Sequence, residues 1–193
     1  TAQWTVTGSG AAILSNTNLD KVCPQVTYIT PGKIVDMGVK DANNMGAAMA
    51  PAALDTLITH LQDTGRKPSY YDAIITGDLG YVGKEILTEM AETQGYNIKN
   101  NYNDCGVLIF DKNAQDTHAG GSGCGCVGSV FSGYFYKKLK EKSINRLLLI
   151  ATGALMNSTS SQQGESIPGI AHAIAIENLV FGDGGKKQDF GNK

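Results

Sequence analysis

Reactive and ligand-binding residue types concentrate in "HAGGSGCGCVGSVFSGYF", residues 118–135, where Cys124 and Cys126 stand one residue apart among Gly121, Gly123, Gly125 and Gly128. Two thiolates could ligate a metal. A closed zinc site, however, needs four ligands at C-x2–4-C type spacing, and only the isolated Cys105 and His118 remain to complete one. Gly123, Gly125 and Gly128 have the G-x-G-x-x-G spacing of a dinucleotide loop, yet "DKNAQDTHA" precedes them instead of a hydrophobic strand, and no acid lies about 20 residues on. No Lys follows them as in a Walker loop. A Cys124 thiolate would be favoured by the N–H groups and dipole of a helix head, but no His lies at the spacing of a partner base. Small, soft residues that let a helix start close to its neighbours account for the same composition without any chemistry. The geometry also suits another use: glycine-rich backbone leading into a helix N-terminus presents N–H groups that seat a carboxylate or phosphate, which favours an anionic small molecule.

The other candidates are single residues. His60 falls off the apolar face of its helix and is expected to be exposed. His118 lies in a polar loop, and His172 shares a strand face with Ile170, Ile174 and Ile176 as a satisfied core or pocket-edge residue. None is placed as a general base. Asp78 ends the apolar run "AIITGD" and has two readings: a ligand residue at the carboxyl end of a strand, or a turn or N-cap residue opening the next helix.

The elements that must carry these residues follow from pattern. "WTVTGSGAAILSN" (4–16) reads as a Gly-interrupted extended segment ending in a short apolar strand, and "VTYITPGKIVD" (26–36) as a second strand with a Pro-Gly break. From Pro51, Leu54, Leu57, Ile58 and Leu61 recur at helical spacing until Gly65. "YDAIITGD" is a buried strand, "KEILTEMAET" (84–93) a helix closed by Gly95, and "CGVLIF" (105–110) a further strand. The glycine stretch then enters a helix with Val127, Val130, Phe131 and Tyr134 on one face. "RLLLIATGA" (146–154) lacks alternation, as a strand covered on both sides does, and "IAHAIAIE" (170–177) alternates large and small residues. The order β, β, α, β, α, β, α, β, β predicts an α/β fold with helices on a mixed sheet.

Composition sets outer limits. A chain of 193 residues with 41% hydrophobic and 18% charged content suits one globular domain with a sizeable core. Net charge −2 argues against a nucleic-acid backbone binder, and the basic cluster Lys137, Lys138, Lys140 and Lys142 falls where a helix ends and its dipole favours cations. No apolar run reaches about 18 residues and "TAQWTVTGSG" is not a signal peptide, so no segment is expected to cross a membrane. Four cysteines are too few for a disulfide scaffold of this length, which favours a reducing compartment. The chain opens with Thr on a strand-like stretch, as a piece of something longer would.

Several strings resemble the C-terminal half of the thiolase fold. "TVTGSGAAIL" is similar to the glycine-turn strand closing the first half of condensing enzymes, "YDAIITGDLG" to the strand delivering a catalytic His, "AGGSGCGCVGS" to the loop and helix carrying a second His or Asn, and "PGIAHAIAIE" to the final strands. Within that superfamily the chain resembles the stage V sporulation protein AD family, through "TVTGSGA", "MGAAMAPAA", "ITGDLGYVG", "DCGVLIF", "AGGSGCGC", "ATGAL" and "IPGIAHAIAIE", over about residues 1–178.

The resemblance implies one half of a duplicated α-β-α layered fold with a mixed five-stranded sheet. Residues 1–16 would be the final strand of an absent first half, 17–180 the C-terminal thiolase-like domain and 181–193 a disordered polar tail. It implies a protein acting in uptake of dipicolinic acid into the forespore, with the calcium chelate as cargo and no resident cofactor. It also implies a peripheral place at the cytoplasmic face of the forespore or spore inner membrane, beside other stage V membrane proteins, the missing half and a homodimer partner. Gly77, Asp78, Ser122 and Cys124 stand where condensing enzymes place imidazole or carboxamide, so nothing obvious would activate a nucleophile or stabilise an oxyanion. This implies a binding protein rather than an enzyme; an acyltransferase using a Cys from the other half is the alternative. For a flat dicarboxylate, residues 121–125, including Gly121, Ser122, Gly123 and Cys124, would supply N–H donors. Met45, Met49 and Ile170 would supply wall, His172 the pocket edge, and Asp78 an oxygen for calcium.

Overall fold

Long runs of aliphatic residues without polar interruption become the central strands. The computed structural model describes residues 2–16 and 23–179. In chain order it has β1 (Trp4–Thr5), β2 (Gln25–Thr30), α1 (Met45–Thr64), β3 (Ala73–Thr76), α2 (Gly80–Thr93), β4 (Tyr102–Asp104), α3 (Cys105–Leu108), β5 (Gly121–Ser122) and α4 (Cys124–Val130). A π-helical turn (Phe131–Phe135) leads into α5 (Tyr136–Lys140), followed by β6 (Arg146–Ala154), α6 (Ser158–Gln162) and β7 (Gly169–Glu177). Five strands form one sheet in the order β2-β7-β6-β3-β4, and β1 pairs in parallel with β5 in a separate two-stranded ribbon. β3 is parallel to β4 and β6, whereas β7 is antiparallel to both its neighbours, so the sheet is mixed as expected.

β6 lies in the middle of the sheet and is buried on both faces, which explains its unalternating sequence. Leu148 and Ile150 pack with Ala171, Ala173 and Ala175 of β7 under α1, while Leu147 and Leu149 pack with Ile75 and Ile176 under α4 and α5. Each fully buried Leu or Ile here contributes about 1.5–3 kcal/mol. The small residues of β7 face α1, so the helix lies close to the strand; a Cβ on Gly169 would sit 3.0 Å from Met49 Cα.

Several boundaries differ from the sequence expectations. α1 starts at Met45, capped by the Asn44 side chain accepting from Ala47 N, so Pro51 lies inside the helix rather than opening it. Proline there removes the donor to the carbonyl four residues back and sets its ring against that carbonyl, a cost that the packing of α1 must outweigh. Leu54, Leu57 and Leu61 are buried and Ile58 packs beside them, as the spacing predicts. "CGVLIF" is not a strand: β4 ends at Asp104, and Cys105–Leu108 turns helical, with Gly106 so close to Gly121 that a Cβ would overlap its carbonyl oxygen. In the helix after the glycines, the π turn inserts a residue, so the buried line runs Cys126, Val130, Phe135, Leu139 and Tyr134 is 47% exposed. Strand structure in 4–16 is confined to Trp4–Thr5, with Ile13 and Leu14 exposed. The expected disordered tail and the boundary at 16–17 fall on or against residues outside those described.

Candidate functional site

β3 and β6 run parallel, so the turn after β3 and the far end of β6 lie together at the carboxyl ends of these two inner strands. Gly77 permits the close approach, since a Cβ there would lie 2.8 Å from Thr152 Oγ1 and 3.0 Å from Thr152 N. The Asp78 carboxylate is buried at this junction. Its Oδ1 accepts from Thr152 Oγ1 at 2.8 Å and its Oδ2 from Gly123 N at 2.8 Å, while Asp78 N donates to Thr152 Oγ1 at 3.1 Å. Burial pushes the Asp78 pKa up, and the bonds from Thr152 and Gly123 oppose that shift. Gly123 holds φ +96°, a conformation that glycine adopts without penalty.

A second carboxylate lies beneath. Asp104 is wholly buried; its Oδ2 accepts from Thr76 Oγ1 at 2.6 Å and Leu79 N at 2.9 Å, and its Oδ1 from Gly80 N at 2.9 Å. Burial raises its pKa to about 6 against the opposing hydrogen bonds, with the Asp78 charge adding to the rise. Thr76 Oγ1 also hydrogen-bonds Tyr102 OH at 2.9 Å. From the other side, residues 2–6 lie along the glycine stretch: Ala119 N donates to Ala2 O, Trp4 N to Gly120 O and Val6 N to Ser122 O, each at 2.9 Å. Gln3 Nε2 donates to Asp78 O and Gly121 O, both at 2.9 Å.

The structure therefore brings Asp78, Gly121, Ser122, Gly123 and Cys124 together. Gly121 is buried, Ser122 and Gly123 are half-buried, and Cys124 is exposed. The Gly123 N–H, expected as a donor to ligand, is engaged by Asp78. Ile170 and His172 lie on β7 on the face shared with Ile174 and Ile176, and His172 is exposed, its Nδ1 accepting from Gly32 N at 3.0 Å. Met49 is buried in the core under α1 and Met45 packs against that core, so neither joins the glycine loop as a wall.

The remaining imidazoles have partners elsewhere, and two of the free thiols lie in the core. His118 is paired with Asp116 at 2.8 Å. His60, expected at the surface, is wholly buried between Thr30 Oγ1 at 2.7 Å and Tyr71 OH at 2.5 Å, and burial pushes its pKa down to about 4. Its helix packs against β2 as well as the central strands, so the buried arc is wider than the leucine stripe. Cys105 and Cys126 are buried, which pushes the Cys126 thiol up to about 12 and the Cys105 thiol up as well. Among the described residues no three or more His, Cys, Asp or Glu side chains are grouped to hold a metal ion. A concavity of about 420 Å³ on the loop 112–118 contains none of the residues proposed above as ligand contacts.

Sequence reasoning missed Gln3, Thr76, Asp104 and Thr152. Asp104 is the last residue of β4, as Asp78 stands just past the end of β3, and the same rule would have found it had β4 been placed at 102–104. Gln3 carries no local signal.

The family model for stage V sporulation protein AD matches residues 1–177. Stage V sporulation protein AD of Bacillus subtilis is 45% identical over 177 residues, 92% of this chain and 51% of the relative. This chain thus spans about half the length of that curated relative. Among solved structures, 3-oxoacyl-[acyl-carrier-protein] synthase III from Aquifex aeolicus has 11% identity and a TM-score of 0.44, over 82% of this chain and 46% of that one. On the family match and the identity together, the chain belongs to the stage V sporulation protein AD family.

Proposed function

We propose that the chain is half of a non-catalytic, thiolase-like sporulation protein that binds dipicolinic acid, carried as its calcium chelate, for uptake into the forespore. The observation that carries this reading is the pairing of a buried carboxylate, Asp78, with the Gly123 N–H, where a condensing enzyme would need an imidazole. All three histidines have their partners elsewhere. A dianion approaching this junction meets the Asp78 charge. Calcium accompanying the ligand offsets that repulsion, and an Asp78 oxygen suits its preference for hard oxygen ligands. The chemistry therefore favours the chelate over free dipicolinate.

In this reading the protein acts at the cytoplasmic face of the forespore or spore inner membrane, beside other stage V membrane proteins, joined to the half that this chain does not span and as a homodimer. Among the described residues no helix is long and apolar enough to cross a membrane.

Calorimetry on the full-length protein tests the proposal, using dipicolinate with and without calcium. Binding is expected, stronger with calcium, and weakened at least tenfold, about 1.4 kcal/mol, by Gly123→Val, because valine cannot hold φ +96° without strain. Absence of binding by the folded protein, or an unchanged affinity in Gly123→Val, refutes the assignment.

A further inference from the structure

We propose that Gln3 is a positioning residue, whose side-chain amide clamps the Asp78 turn to the glycine loop and so sets the spacing of the ligand seat; this rests on the dipicolinate reading above. The two carbonyls that it joins, Asp78 O and Gly121 O, belong to the two segments that meet at the carboxylate–amide contact between Asp78 and Gly123. No hydrogen bond between Asp78 O and Gly121 O is possible, since both are acceptors. A primary amide is suited to bridge them, because its NH2 supplies two hydrogens on one atom. The orientation of the amide is settled by the same fact, since turning it over would set oxygen against both carbonyls.

Two further features show that the surroundings are shaped for this side chain, and a third is a cost that it carries. Gly80 leaves the space that it occupies, since a Cβ there would lie 2.6 Å from Gln3 Nε2. The backbone on either side of Gln3 is fixed, by Ala119 N donating to Ala2 O and Trp4 N to Gly120 O. Gln3 Oε1 is buried and takes no hydrogen bond among the described residues. A buried acceptor without a donor is costly, so the two bonds that the NH2 makes must outweigh that cost for the amide to stay in this orientation.

The test compares the full-length protein with Gln3→Glu and Gln3→Met by hydrogen exchange, without ligand, and by calorimetry with calcium dipicolinate. At pH 7.5, exchange in segments 77–82 and 119–125 should be at least tenfold faster in both variants, with β6 and β7 protected as in the wild type. Near pH 5, each variant being compared with wild type at the same pH, protonation of the new carboxyl in Gln3→Glu restores one donor. That variant should then recover toward wild type, while Gln3→Met does not. Affinity should fall about tenfold and follow the same pattern of recovery. Unchanged exchange in both segments overturns the clamp, and so does an equal loss of protection in β6 and β7, which would mark Gln3 as holding the whole fold. A wild-type protein that binds no dipicolinate would sink the ligand reading alone, because the exchange data still decide whether Gln3 joins the two segments.

Discussion

Substituting Asp104 by Asn separates charge from shape at the bottom of the candidate site. The carboxyl is wholly buried and its pKa stands at about 6 against 3.8 for an exposed aspartate. That difference of about 2 pKa units, at 1.36 kcal/mol each, makes the ionised form cost about 3 kcal/mol in the folded state at neutral pH. Because the folded pKa is raised, the contribution of this group to stability is greatest below pH 3.8 and is lost as pH rises through 6. The carboxamide of Asp104→Asn would carry no charge but has one acceptor oxygen, where the aspartate accepts from Thr76, Leu79 and Gly80 on two; at least one buried donor is left facing an NH2, at about 1–3 kcal/mol. Near pH 7.5 the two effects offset, and the variant should melt close to wild type. Near pH 4 the wild-type carboxyl is neutral, so the variant keeps only its deficit. The difference in stability between the two proteins should therefore change by about 2 kcal/mol across that range, or about 4–8 °C in Tm for a chain of this size. His60 acts in the opposite sense, since its folded pKa is pushed down to about 4 from 6.5 and its contribution is lost as pH falls through that window. It is present in both proteins and cancels in the difference. Thermal melts of both from pH 4 to 8 check the argument, and parallel curves would refute it.

Gly83→Val should lower stability by about 1–3 kcal/mol or more in urea denaturation, because the added Cβ would lie 2.8 Å from Gly46 Cα and Gly46 O on α1, backbone atoms that cannot move aside alone; an unchanged midpoint would contradict the close approach of α1 and α2. The chain by itself should self-associate in sedimentation velocity, since Ile29 is 67% exposed on the edge strand β2 and Leu14 is 81% exposed, and joining such apolar surfaces gains about 25 cal/mol per Å². A monodisperse monomer with a cooperative melt would count against that.

Elements whose signal is carried by their own residues are legible in the sequence. β3, β6 and β7 are apolar runs bounded by turns, and the Leu54, Leu57, Leu61 stripe of α1 is intact in the core. The misplaced features depend on groups distant in the chain. α2 begins at Gly80 and not at Lys84 because a carboxylate on β4 accepts its first N–H groups. The buried face of the helix after the glycines escapes a pattern of period 3.6, because a π turn, which leaves no mark in such a pattern, moves the buried line from Tyr134 to Phe135. Periodicity sets His60 at the surface because it measures one stripe, whereas α1 contacts β2, β6, β7 and α2 around a broader arc.

The same dependence on distant groups decides between the two readings of Asp78. From sequence, an aspartate ahead of a helix is most simply an N-cap, accepting from the first N–H groups of that helix. Here those groups are already taken, because Leu79 N and Gly80 N donate to Asp104. Asp78 is thereby released from α2 and its carboxylate turns across the ends of β3 and β6 to Thr152 and Gly123, residues 74 and 45 positions away in the chain. A negative group is thus held where a glycine-rich loop enters a helix, with Asp104 fixing the turn from below and Gln3 from the side. Neither carboxylate could do both tasks: one that capped α2 would be drawn away from Gly123, and one bound to Gly123 would leave the first N–H groups of α2 buried without acceptors.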